Sequence, residues 1–164
     1  MGYALFGLAG MQPVGNTEAA AKHVLGTVVC GQDPLYGTGE FIYLLGVAST
    51  AVGSIVTYDV TTYQTTLCAV GGNIPRPIAV AMSANVAGQY GWYQISGLAV
   101  CKKTCTVSLA AGAAVGVLTT GLIAGTGSGK EISGAAVAAV ASATAGRTTV
   151  SVMLSRPNKQ GRIT

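Results

Sequence analysis

Charge is what this chain has least of. Its 164 residues hold nine lysines and arginines and five aspartates and glutamates, 9% of the chain, where an ordinary soluble domain carries about 25%. Half of the residues are apolar. A domain of 16.3 kDa still exposes roughly three-tenths of its unfolded surface after folding, and so few solvating groups are a thin coat for that remainder. The composition therefore predicts that a membrane or a neighbouring subunit covers part of the surface.

The other scarcities exclude chemistry. The single histidine, His23, lies in an N-terminal segment without a nucleophile elbow, so it reads as a polar loop residue and not as part of a Ser-His-Asp arrangement. Glu18, Asp33, Glu40, Asp59 and Glu131 are too dispersed to pair as acid and base. The four cysteines, Cys30, Cys68, Cys101 and Cys105, are too few for a disulfide scaffold of this size and read as reduced thiols. On one strand Cys101 and Cys105 stand roughly 13 Å apart at about 3.3 Å per residue, too far to share an ion, and zinc would need further ligands. GTGSGK at 125–130 fails the phosphate-loop pattern at Ala124 and at Glu131, and reads as a solvated hairpin tip. No catalytic residue, cofactor or metal is expected, and the chain reads as a non-enzyme. The net charge of +4 is scattered, with no basic block interleaved with aromatics, which argues against direct nucleic-acid binding. The first basic residue is Lys22, so an export signal with a positive n-region is not expected.

Long apolar runs occur at 107–127 and 132–146, but Gly, Ala, Ser and Thr dominate them. Those residues contribute little to membrane insertion, and neither run has an aromatic belt or flanking basic asymmetry. A membrane partner is not expected.

What is present points to strands. Twenty-four glycines and five prolines, among abundant Val, Thr, Ser and Ala, favour tight turns over long helices. Strands are predicted over 40–48, 54–59, 75–83, 89–96, 97–109 and 147–154, with a turn-rich entry at 32–39. In the fourth of these, Tyr90, Trp92, Gln94 and Ser96 share one face while Gly91, Tyr93 and Ile95 share the other, so both faces carry an aromatic. Residues 132–145 remain open between a short helix and a loop or strand. The fold class is all-β, a β-sandwich or barrel. Tyr36, Phe41, Tyr90, Trp92 and Tyr93 are candidate partner contacts, because aromatics concentrate at interface centres as well as in cores.

Three segments carry a resemblance: DPLYGTGEFIYLLGVAST (33–50), PIAVAMSANVAGQYGWYQISGLAV (77–100) and VSVMLSRPNKQG (150–161). They resemble the capsid decoration, or cement, proteins of tailed bacteriophages, most specifically in GWYQISG at 91–97. The resemblance implies a single β-sandwich or jelly-roll-like module on the outside of an assembled virion shell. It further implies binding to the major capsid protein across capsomer joints, assembly in the host cytoplasm, and no enzymatic role. The chain departs from the family in its many Gly and Ala residues after Leu109 and in its cysteines.

On this reading residues 1–29 form an N-terminal arm or peripheral segment, 30–155 the β-rich decoration domain, and 156–164 a basic tail that is either an ordinary solvated one or pairs Arg156, Lys159 and Arg162 with acidic patches on the shell. Dimers or trimers of the chain are both natural. The alternatives are another virion component, such as a tail or fibre protein, and a small membrane protein.

Overall fold

Turn chemistry cuts the chain into short strands. Asp33 shows how: its Oδ1 accepts hydrogen bonds from the backbone of Leu35 at 2.7 Å and Tyr36 at 3.0 Å, and Gly37 at φ +73° completes the reversal. Asp59 repeats the device, its Oδ1 accepting from the backbone of Thr61 at 2.8 Å and Thr62 at 3.0 Å. A computed structural model describes residues 4–6, 12–71, 75–104, 106, 108–138, 146 and 148–161. The strands are β1 (Ala4–Phe6), β2 (Thr17–Glu18), β3 (Val28–Asp33), β4 (Gly37–Leu45), β5 (Ile55–Tyr58), β6 (Thr65–Leu67), β7 (Ile78–Ala81), β8 (Tyr90–Lys102), β9 (Ala114–Thr119), β10 (Leu122–Gly125), β11 (Glu131–Val137) and β12 (Thr149–Lys159). No helix occurs among the described residues.

All strands join one antiparallel sheet, ordered β1-β3-β4-β8-β12-β11-β9-β10, with β2 and β7 also pairing β8, and β5 pairing β6 and β7. The 13-residue β8 is its spine. Its first part pairs β4 from Tyr90 to Ser96, and its second pairs β12 from Ser96 to Lys102. Just past the shared Ser96, Gly97 takes φ +93°, and the β4 ladder shifts register between Glu40 and Phe41. A second shift lies between Ser133 and Ala135 of β11, where Gly134 takes φ +79°. Bulges in neighbouring ladders bend the strands and let the sheet curl onto itself.

Curling produces three packed cores from one sheet. Ile55, Ile78 and Val80 face Ala99, Cys101, Val115, Ile132, Val150, Val152 and Leu154 in the largest. Val56, Ala79 and Ala81 turn the other way, toward Ile42, Leu44, Tyr93 and Ile95. Phe41, Tyr43 and Trp92 leave the opposite side of the β4–β8 layer and meet Val14, Val29 and Met82. Strands β4, β5, β7 and the first part of β8 therefore bury both faces. Those strands read as apolar runs because neither face meets water. The single-domain, all-β, sandwich-like expectation holds.

Several boundaries move. Residues 12–27 are no arm: Val14 is buried, β2 pairs β8, and Gly26 and Thr27 exchange backbone hydrogen bonds with Tyr43 at 2.8 and 2.9 Å. Residues 156–159 are no tail, because β12 runs on through Lys159 and Gln160 donates to the Glu131 carbonyl. The apolar stretch at 107–127 holds the β9–β10 hairpin. Residues 131–137 are strand, and 139–145 lie outside the described residues, as does Cys105.

A Cβ at Gly97 would overlap the Thr38 carbonyl oxygen and come within 3.0 Å of the Gly39 Cα. Gly97→Ala is expected to cost more than about 3 kcal/mol in urea unfolding. Gly112→Ala, which also has positive φ but nothing within 4 Å, is expected to cost about 1 kcal/mol.

Candidate functional site

The aromatic group is an internal structure. Phe41, Trp92 and Tyr93 are fully buried, while Tyr36 and Tyr90 pack half-exposed against the core of Phe41, Tyr43 and Trp92. Tyr43 sits at its centre, 5.0 Å from Trp92 and stacked at 6.4 Å on Tyr90, with the His23 ring edge-on at 5.2 Å. The expectation that Trp92, Phe41 and Tyr93 meet a partner is corrected: both faces of this layer are already covered, one by residues 12–27 and the other by β5 and β7. Tyr93 also receives a hydrogen bond from Asn85 Nδ2 at 3.0 Å, and burial pushes its hydroxyl pKa upward. Only Tyr36 and Tyr90 of the five retain solvent-facing surface.

The three basic candidates have different fates. Arg156, at φ +43°, forks onto Glu40: Nε donates to Oε2 at 2.9 Å and Nη2 to Oε1 at 3.1 Å. That hydrogen bond, aided by the guanidinium charge, holds the Glu40 carboxyl below the usual range against a smaller opposing effect of burial. Arg156 is thus engaged within the chain. Lys159 is 5% exposed, its ammonium donating to the carbonyls of Ala69 and Gly71. It is not the solvated tail charge expected, because β12 carries it inside. Arg162 lies outside the described residues.

Sequence reasoning missed the surface that is left. On the outer side of the curled sheet, Leu98 of β8 stands opposite Met153 of β12, Met153 opposite Ala136 of β11, and Ala136 opposite Ala114 of β9. Val100 and Ser151 form the adjoining row. The cross-strand register makes this an uncharged face crossing four strands, about 14 Å wide at strand spacing. Met153 is 52% exposed at its middle, and Ala114 is exposed at its edge. The alternation of RTTVSVML, with Val150, Val152 and Leu154 inward and Thr149, Ser151 and Met153 outward, was the available signal.

The thiols are unlike one another. Cys30 is exposed, whereas burial pushes Cys68 up to about 11 and Cys101 up to about 12. Among the described residues no three His, Cys, Asp or Glu side chains gather to hold a metal, and no helix is long and apolar enough to cross a membrane. Comparison with family models, curated proteins and solved structures finds no match to this chain.

Because the fold lowers the Glu40 pKa, its pair with Arg156 stabilises fully above the ordinary carboxylate range and is lost as pH falls through the folded value. Glu40→Gln should therefore lower the urea midpoint near about pH 7 and leave it unchanged near about pH 2. Iodoacetamide at about pH 8, read by peptide mass mapping, should alkylate Cys30 at least about a hundred-fold faster than Cys68 or Cys101 in the folded protein.

Proposed function

We propose that this chain is a non-enzymatic structural protein of a phage virion, a decoration protein that binds the capsid exterior and stabilises it by bridging subunits of the major capsid protein. The observation that carries the reading is the uncharged outer face centred on Met153, in a chain that buries both faces of β4, β5, β7 and the first part of β8. Covering such a face removes apolar surface from water at about 25 cal/mol per Å² before ordering costs. Each contact is modest, and many copies around a shell supply the strength by multivalency. The resemblance in three segments supports the same assignment. Its most specific motif, 91–97, contains buried Trp92 and Tyr93 and the bend at Gly97, so it is a folding motif and not the contact itself.

The test is the mass ratio of this chain to the main shell protein in purified particles. Hundreds of copies per particle are expected, and particles lacking the chain should open at a lower temperature. Met153→Glu should change the melting temperature by less than about 2 °C, since the site is exposed, and cut the copies bound by at least about ten-fold. Trp92→Ala should instead cost about 3–5 kcal/mol of folding stability. Absence from particles, or undiminished binding of Met153→Glu, would overturn the reading.

A further inference from the structure

Beside β5, β6 and the end of β12 lies a pocket of about 260 Å³, lined by Thr57, Thr66, Leu67, Ala69, Arg76 and Lys159. Two of these residues are cations and none is a carboxylate. Lys159 is fixed there by its backbone, whose N–H donates to the Arg76 carbonyl at 2.9 Å, while its neighbour Asn158 bridges Pro77. The Lys159 ammonium has three N–H donors and directs bonds to the neutral carbonyls of Ala69 and Gly71. The ion pairs among the described residues include Lys22–Glu18, Arg76–Asp59 and Arg156–Glu40, and none of these three involves Lys159, whose ammonium meets neutral carbonyls. The nearby Cys68 thiol, pushed up to about 11 by burial, stays neutral and supplies no counter-charge. A buried ammonium without a counter-ion is unfavourable. Arg76 meets Asp59 through a single contact at 3.6 Å, between side chains that are 43% and 36% exposed, which leaves most of its guanidinium donors for another acceptor.

The remaining wall is aliphatic: Leu67, Ala69 and the methyls of two threonines. The pocket thus has a cationic end, an apolar side, and room for one short side chain. We infer that it binds a carboxylate carried on a short aliphatic stem, with Lys159 Nζ and the Arg76 guanidinium holding the oxygens. Ionised acceptors receive the strongest hydrogen bonds, and a guanidinium matches the planar carboxylate. The inference is independent of the decoration reading, which rests on the Met153 face on another part of the surface. A free short-chain acid and the glutamate side chain of a docking protein offer the same chemistry.

The experiment titrates the full chain by NMR and thermal shift with sodium butyrate and with acetyl-Gly-Glu-Gly-amide, against sodium chloride and butylammonium chloride at equal ionic strength. Saturable shifts confined to the residues lining the pocket are expected with the carboxylates and not with the controls. Lys159→Met should weaken butyrate binding by at least about ten-fold, and Arg76→Gln by about three- to ten-fold. Asp59→Asn breaks the same ion pair as Arg76→Gln yet should bind butyrate at least as tightly, which separates a ligand contact from a structural one. If Lys159→Met does not fold, the Arg76→Gln and Asp59→Asn pair decides. Tighter binding of the peptide identifies a protein side chain as the occupant, and tighter binding of butyrate a free acid. Equal shifts with chloride and butyrate, or undiminished binding in Arg76→Gln, would overturn the inference.

Discussion

One strand has to serve two layers, and the rest of the molecule is arranged around that requirement. β8 is hydrogen-bonded to β4, β2 and β7 along its first part and to β12 along its second. The turn between those roles occurs at Gly97, where positive φ and the close approach of the Thr38–Gly39 backbone leave no room for a side chain. Gln94, fully buried beside the bend, gives its amide hydrogens to the carbonyls of Ser96 at 3.0 Å and Leu98 at 3.1 Å. A polar side chain is thereby spent inside the sheet to satisfy carbonyls that the bulge takes out of the ladder.

Double-sided burial also explains much of the composition. An open antiparallel sheet wets one face and alternates polar with apolar residues, whereas a curled one hides both faces of its inner strands. The scarcity of charge is therefore met partly by the chain folding over itself, and the outer face of β8, β12, β11 and β9 is left for another molecule. Some of the few charges pair within the fold: Glu40 with Arg156, Asp59 with Arg76, Glu18 with Lys22. Lys159 and Lys103 are both buried, each lining a different pocket.

Local pattern made the strands legible. The alternation in 54–59 correctly divides Ile55 from Val56, which enter different cores, and the two aromatic faces of 89–96 do belong to two cores. What could not be read depends on contacts distant in sequence. Residues 12–27 lack periodicity because they are held by Tyr43 and Trp92 and not by a regular ladder of their own. RPNKQG looks like a solvated tail, since Pro157 argues against a strand interior. The bulge opposite Gly134 accommodates it there, and the same bulge carries Lys159 inward. Aromatic identity alone could not say whether Trp92 served a core or an interface, because the same amphipathic ring suits both.

The pairing of β8 has a consequence for synthesis. Thr17 awaits Gly91 from far downstream, and Ser96 in turn awaits Ser155. A nascent chain that has not yet released residues 149–159 holds β8 and β11 with open hydrogen-bonding edges and a largest core that still lacks Val150, Val152 and Leu154. Such edges are templates for pairing with another chain. Closure of this curled sheet is therefore a late, non-local event, and the interval before it is when the polypeptide is most exposed to association with the wrong neighbour.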